Sequence, residues 1–260
     1  MTEFIEKERE TVPKQVEQLV LCDLDRTLIK SDELVDIVQE FLIETKNYSE
    51  QTTKDLAELV MSTHQNAGES VQPYGVMRDT YGLELDPSVL ADQIIGHFDI
   101  ELLKKRLLIP GAEYLFDAMS THNTEYAILT SATDVIGQKF KIALFERLIE
   151  QSKIPYFIIN HEAKSQTAED HWYEEDSGSF KVPKPDNDDN HGGWQAKKIV
   201  IIDDKTKNLQ SGTNKVSNIL KIHVFADGDP VTDAVDLTHV ADQLAKNGQF
   251  PDSLRYNEAA

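Results

Sequence analysis

The sequence predicts an α/β fold with a doubly wound parallel sheet, on three observations. The run Leu19–Cys22 is apolar without alternation, which is typical of a strand buried on both faces of a parallel sheet. Apolar runs and helical periods alternate after residue 108, as in βαβ units. The stretch 31–108 is helical and poor in strands. We therefore expect an α/β core formed by residues 1–30 and 109–260, with a helical cap subdomain inserted as residues 31–108.

Periodicity places the individual elements. Residues 31–44 repeat apolar side chains at helical spacing behind the candidate N-cap Ser31, and weaker helical patterns follow around 56–60 and 90–98. The core elements expected beyond these are a helix over 112–120, a strand over 126–129, a helix from about 134 to 148, a strand over 155–159, a strand over 198–202, a short helix near 207, a strand over 219–225 and a helix over 231–246. Residues 161–197 are polar and predict an irregular connection that is functional or mobile.

Charge and cysteine content exclude several classes of partner. The chain has 260 residues and a formal net charge of −20, so a nucleic-acid backbone or an anionic membrane would repel it. The single cysteine, Cys22, cannot form an intrachain disulfide and fits a reducing compartment. It reads better as a small core residue than as a nucleophile. No apolar run is long enough for a signal peptide or a membrane span, and we expect a cytoplasmic protein.

Polar side chains follow three of the predicted strands. Because the carboxyl ends of parallel strands share one edge of the sheet, these side chains should converge in one crevice. They are Asp23 and Asp25 after the first strand, Thr130 and Ser131 after the second, and Asp203 and Asp204 after a later one. Carboxylates crowded in this way require a cation, a raised pKa, or both. Mg²⁺ is the usual hard-cation partner, although Asp and Thr are also ordinary residues of a strand-to-loop junction.

Four motifs together resemble the haloacid dehalogenase (HAD) superfamily of aspartate-nucleophile phosphohydrolases. They are DLDRT at 23–27, the apolar strand ending in Thr130, Lys184-Pro185, and IVIIDD at 199–204, in the superfamily's order. The resemblance implies a Rossmann-like core, and the insertion at 31–108 resembles a C1-type cap. Arg26 departs from the pattern, because that family often has Gly between the second Asp and Thr.

The resemblance also implies a role for each site residue. Asp23 would be the nucleophile, and Asp25 would be the general acid and base while its backbone carbonyl binds the metal. Thr130 would donate to a phosphoryl oxygen. The remaining roles are substrate binding by Ser131 and Thr27, metal binding by Asp23, Asp204 and Asp203, and phosphate binding by Lys184, with Lys181 as the alternative lysine.

The expected activity is Mg²⁺-dependent hydrolysis of a small soluble phosphate monoester through an aspartyl-phosphate. An alkoxide leaving group needs a proton whereas a halide does not, so Asp25 favours ester cleavage over dehalogenation. Alternatives on the same core are a phosphotransferase, a phosphonate hydrolase using Lys46 or Lys54, and a non-catalytic binding or regulatory protein. The expected partner is a small phosphorylated metabolite, with neither nucleic acid nor membrane; the oligomeric state stays open.

Overall fold

A mostly parallel sheet organises the chain. The computed structural model describes residues 12–46, 49, 51, 86–132, 135–159, 163–188, 192–211, 216–225 and 234–256. Its strands are β1 (Lys14–Cys22), β2 (Glu125–Ser131), β3 (Tyr156–Ile159), β4 (Tyr173–Glu174), β5 (Ser179–Val182), β6 (Trp194–Asp203) and β7 (Ile219–His223). Their order is β3-β2-β1-β6-β5-β4, and β7 pairs with the second half of β6. The β4–β5 and β5–β6 pairs are antiparallel and the other pairs are parallel, which confirms the predicted fold class.

Helices connect the parallel strands. In chain order they are α1 (Ser31–Lys46), α2 (Pro87–His97), α3 (Ile100–Leu107), α4 (Ala112–Thr121), α5 (Val135–Leu148), the short α6 (Lys164–Thr167) and α7 (Leu237–Asn247). A π-helical turn, Ala168–Trp172, continues α6, and 3-10 turns lie at Thr206–Leu209 and Asp252–Leu254. Within the described ranges, none of the helices has the length and apolar character needed to cross a bilayer.

Both faces of the sheet are buried. Along β1, Val20 and Cys22 belong to one apolar cluster and Leu19 and Leu21 to another, and all four are fully buried. Alternate side chains of a strand point to opposite faces, so the apolar run fills two cores at once. Helices α1 to α5 and α7 contribute to the first core, and the π-helical turn, β5 and the start of β6 contribute to the second.

The two chain segments that border the predicted cap run side by side. The Lys30 amide donates to the Leu107 carbonyl at 2.7 Å, and the Ile109 amide donates to the Leu28 carbonyl at 3.0 Å. Helices α1, α2 and α3 lie between these segments in the sequence. The described residues do not include Lys54 or the helical pattern expected around 56–60. The division into core and cap therefore stays a prediction, and its proposed boundary is the place where these two segments pair.

The prediction of an irregular connection over 161–197 is wrong. This stretch holds α6, the π-helical turn and the β4–β5 hairpin, and β6 begins at Trp194 rather than at residue 198. Trp172 and Trp194 are buried against Phe157, with ring centroids 5.5 and 6.0 Å from it. Apolar packing by these few large rings stabilises a segment whose overall composition is polar.

Candidate active site

A buried lysine joins the carboxylates at the ends of β1 and β6. The Nζ atom of Lys164 lies 2.5 Å from Oδ1 of Asp23 and 2.5 Å from Oδ2 of Asp203. All three side chains are buried. Burial lowers the pKa of Lys164, but the two carboxylates outweigh it and the net shift is upward. The lysine therefore remains a charged ammonium group in contact with both carboxylates.

Lys164 replaces Lys184 as the lysine beside Asp23, which corrects the sequence prediction. Val182 of β5 pairs with Trp194, the first residue of β6, whereas Asp203 is its last. A strand of ten residues spans roughly 30 Å at about 3.3 Å per residue, so β5 ends at the opposite edge of the sheet. Lys184 follows β5 there and is exposed; the alternative, Lys181, lies within β5 and is also exposed.

Position along the chain could have identified Lys164. It begins α6 five residues after Ile159, the last residue of β3, and residues that follow a parallel strand start at the carboxyl edge of the sheet. The family resemblance indicates the Lys-Pro pair at 184–185 instead. The topology of β4 and β5, which carries the chain away from that edge, was not visible in the sequence.

Three carboxylates form one cluster at this edge. Asp23, Asp203 and Asp204 each offer an oxygen, and these oxygens all lie within 4.8 Å of one another. Asp203 accepts hydrogen bonds from the Lys205 amide at 2.8 Å and from Nδ2 of Asn208 at 3.0 Å, in addition to Lys164. Asp204 is more exposed than Asp203. The cluster thus contains one carboxylate surrounded by protein donors and another that reaches toward solvent.

Thr27 holds the loop of Asp204, and its role in substrate binding stays a prediction. The Asp204 amide donates to Oγ1 of Thr27 at 3.1 Å, and the Thr27 hydroxyl lies 3.4 Å from Oδ1 of Asp204. Thr27 is fully buried, so solvent does not compete for this contact. The threonine of the DxDxT motif links the loops that follow β1 and β6.

The Asp25 carboxylate is directed toward α5 rather than into the acidic cluster. It accepts from Nζ of Lys141 and from Nε2 of Gln138, each at 2.7 Å, and from the Ser31 hydroxyl. Burial raises the pKa of Asp25, but the Lys141 ammonium and these hydrogen bonds outweigh it and hold the pKa well below its ordinary value. Asp25 is therefore a carboxylate in this arrangement. Metal binding by its backbone carbonyl stays a prediction.

Thr130 and Ser131 end β2, next to β1 in the sheet. Thr130 is buried and its Oγ1 lies 2.6 Å from Nε2 of Gln138. Ser131 is partly exposed and pairs with Ile159 of β3. The structure therefore brings Thr130 and Asp25 to one glutamine, and substrate binding by Ser131 remains a prediction.

Burial and like charges raise the pKa of Asp23 to about 7, because desolvation and the neighbouring Asp203 and Asp25 together outweigh the opposing effect of Lys164. The expectation that one member of the DxD pair has a raised pKa therefore applies to Asp23. Burial likewise raises the pKa of the adjacent Cys22 thiol to about 12, which makes a thiolate nucleophile unfavourable and supports its assignment as a core residue.

Arg26 occupies a left-handed backbone conformation, with φ of 63°. Glycine adopts this region without a steric cost, which gives a physical reason for a glycine at this position of the motif. Here the guanidinium of Arg26 pairs with Asp32 in the first turn of α1 at 2.8 Å, and its side chain is half exposed. The unusual residue thus connects the motif loop to the helix that follows it.

One edge of a parallel sheet brings together Asp23 after β1, the Thr130 hydroxyl at the end of β2, Lys164 after β3 and the paired aspartates at the end of β6. This arrangement is similar to that of the haloacid dehalogenase superfamily. No family model and no curated protein matches the sequence.

Solved structures of HAD hydrolases are similar at low identity. A haloacid dehalogenase-like hydrolase from Burkholderia xenovorans LB400 is 14% identical over 89% of this chain and 98% of its own, with a TM-score of 0.48. A HAD family hydrolase from Deinococcus radiodurans R1, whose structure holds phosphate and sodium, is 13% identical over 90% and 89%, with a TM-score of 0.34. The magnesium-bound HAD-hydrolase YfnB from Bacillus subtilis is 15% identical over 86% and 93%, with a TM-score of 0.33.

The donor set of this site suits a hard divalent cation. The three carboxylates of the cluster share one ammonium group, that of Lys164, which leaves an excess of two negative charges when all three are ionised. Mg²⁺ takes oxygen ligands, usually one or two carboxylates together with waters and phosphate oxygens, and its charge would balance this excess. Asp23 and Asp204 are the best placed to hold such an ion, because the oxygens of Asp203 are already engaged by Lys164 and Asn208.

We expect Mg²⁺ to raise the melting temperature more at pH 8 than at pH 5. The folded-state pKa of Asp23 is about 7 and its ordinary value is 3.8, so protonation stabilises the folded state at low pH. That stabilisation is lost as pH rises through about 7, and protons compete with the cation below that pH. Thermal melts with and without Mg²⁺ at both pH values measure the effect. An equal rise in melting temperature at the two pH values would contradict the prediction. Asp204→Asn removes one of the proposed metal ligands and should reduce the rise that Mg²⁺ causes.

Proposed function

We propose that this chain is a Mg²⁺-dependent phosphohydrolase that cleaves a small soluble phosphate monoester through an aspartyl-phosphate on Asp23. The observation that carries the proposal is the buried contact between Lys164 and Asp23 beside the aspartate cluster. A carboxylate nucleophile must approach a negatively charged phosphoryl group, which is favourable only where cations neutralise both partners. Lys164 supplies one such charge, and Asp23 and Asp204 would hold the cation that supplies the others.

The first chemical step forms a bond between a carboxylate oxygen of Asp23 and phosphorus while the bond from phosphorus to the ester oxygen breaks. Thr130 donates a hydrogen bond to a phosphoryl oxygen, and the Lys164 ammonium stabilises charge on the same group. Asp25, when protonated, gives its proton to the departing alkoxide. The products of this step are the alcohol and an acyl-phosphate on Asp23.

The second step transfers the phosphoryl group to water. Asp25, now a carboxylate, accepts a proton from the water as the oxygen of that water bonds to phosphorus, and the acyl bond breaks to return Asp23. The low pKa of Asp25 keeps it in the accepting state. For the first step it must take up a proton, so we propose that its contact with Lys141 loosens when substrate binds.

Activity should be sought first with a panel of phosphorylated metabolites. We expect release of inorganic phosphate from at least one small ester in the presence of Mg²⁺, and its loss when a chelator removes the cation. Folded protein that releases no phosphate from any member of a broad panel, yet captures a specific partner, would favour the non-catalytic alternative.

Asp25→Asn should affect esters according to their leaving group. An alkyl alkoxide needs a proton at departure whereas p-nitrophenolate is stable as an anion, so formation of the acyl-phosphate should slow by about 100-fold or more for an alkyl ester and much less for p-nitrophenyl phosphate. Rapid-quench measurement of the first turnover separates this step from hydrolysis of the intermediate. Equal slowing for both esters would assign the proton to a different group. The exposed carboxylate Asp117 of α4 offers a matched control, Asp117→Asn.

A further inference from the structure

One glutamine side chain connects the hydroxyl at the end of β2 to the carboxylate that follows β1. The Nε2 atom of Gln138 lies 2.6 Å from Oγ1 of Thr130 and 2.7 Å from Oδ2 of Asp25. Gln138 is 3% exposed, so solvent does not compete for these contacts. A primary amide carries two N–H hydrogens, which allows the one nitrogen to donate to both oxygens at once.

The chemistry of the acceptors fixes which end of the amide faces them. An ionised carboxylate only accepts hydrogen bonds, and the Asp25 carboxylate also pairs with the Lys141 ammonium at 2.7 Å. The amide nitrogen of Gln138, and not its oxygen, must therefore point to Asp25. The same nitrogen then presents its second hydrogen to Thr130.

This contact determines the direction of the Thr130 hydrogen bond. A hydroxyl has one hydrogen and two lone pairs. When its oxygen accepts from Gln138, its own hydrogen remains available for another acceptor. The oxygens of a phosphoryl group only accept, so a Thr130 hydroxyl oriented in this way is prepared to donate to them.

We infer that Gln138 is a positioning residue for phosphoryl transfer. It acts through Thr130, whose hydroxyl it turns into a donor toward the phosphoryl group, and it holds Oδ2 of Asp25 while Lys141 and Ser31 hold Oδ1. Gln138 and Lys141 are one turn apart on α5, which makes this helix face part of the site. The inference rests on the proposed function and adds to it a residue that no motif contains.

A double-variant cycle tests whether Gln138 acts through Thr130. The variants are Gln138→Met, which keeps the volume without the donor, Thr130→Val, and the two combined. We expect kcat to fall by ~100-fold in Thr130→Val and by ~10-fold in Gln138→Met, with little change in KM. The kcat of the combined variant should be no lower than that of Thr130→Val alone. A kcat reduced by the product of the two single-variant factors would overturn the inference.

Two further variants separate positioning from packing. Gln138→Glu keeps the shape but places a carboxylate beside Asp25 and Thr130, so it should be at least as inactive as Gln138→Met. A purely volume-filling role predicts near wild-type kcat for Gln138→Met, and that result would contradict the proposal. Lys139→Met, at the exposed neighbouring position of α5, should keep wild-type kcat and serves as the control. Thermal melts verify that each variant is folded.

Titration of inorganic phosphate with Mg²⁺ into the same proteins distinguishes failure of this inference from failure of the proposed function. If the wild type turns over an ester and the losses of kcat multiply in the combined variant, only the role of Gln138 is overturned. If no ester is turned over, but the wild type binds phosphate and the combined variant loses no more phosphate affinity than Thr130→Val alone, hydrolysis is overturned and the role of Gln138 is kept. A wild-type protein that neither turns over an ester nor binds phosphate removes both proposals.

Discussion

Asp23→Asn is expected to abolish hydrolysis while leaving the fold intact. Asparagine has nearly the same shape as aspartate but cannot attack phosphorus as an anion, and loss of a covalent nucleophile should lower kcat by at least about a thousandfold. The substitution also removes one negative charge from a cluster in which carboxylates outnumber ammonium groups. Without added cation at pH 8, we therefore expect no loss of thermal stability.

Steady-state kinetics and thermal melts of the purified variant measure both effects. Asp117→Asn, on the exposed side of α4, is the control for a single change of carboxylate to amide and should match the wild type. Turnover by Asp23→Asn within tenfold of wild type, after deamidation has been excluded by mass, would remove Asp23 as the nucleophile.

Lys164→Met is expected to inactivate the enzyme, whereas Lys184→Met should have little effect on kcat. The Lys164 ammonium contacts Asp23 directly, and loss of a cation aimed at the transferring group should lower kcat by ~100- to 1,000-fold. The change also leaves Asp23 and Asp203 buried without their shared cation, which costs about 3–5 kcal/mol of stability. Lys184 is exposed at the opposite edge of the sheet, so it offers a matched lysine-to-methionine control.

Lys164→Arg provides a second test if the methionine variant does not fold. Arginine keeps the positive charge but cannot reproduce the compact ammonium group between two carboxylates, so a folded variant with a markedly lower kcat is expected. Loss of activity in Lys184→Met together with retained activity in Lys164→Arg would restore the lysine that the sequence motif suggested.

The strand ends were predictable because their pattern is local. Leu19–Cys22 reads as a strand buried on both faces, and the aspartates that follow it must leave the sheet at its carboxyl edge. The same pattern predicts that Thr130 and Asp203 lie at that edge. Their convergence follows from the parallel order β2-β1-β6 alone.

The positions of Lys164 and of Gln138 on α5 were not predictable in the same way. Lys164 lies in a four-residue helix followed by a π-helical turn, which has no amphipathic period to reveal it. Gln138 and Asp25 are 113 positions apart in the sequence, and only the tertiary structure brings them into contact. The contact of Thr27 with the loop of Asp204 likewise depends on tertiary structure.

Trapping of the intermediate on Asp23 tests the central claim most directly. Protein mixed with an active ester and Mg²⁺ is quenched in acid during turnover, reduced with borohydride and mapped by mass spectrometry. Because borohydride reduces an acyl-phosphate to an alcohol, the account predicts homoserine at position 23 and at no other aspartate. Rapid turnover with unmodified Asp23, or with the modification at a different residue, would contradict it.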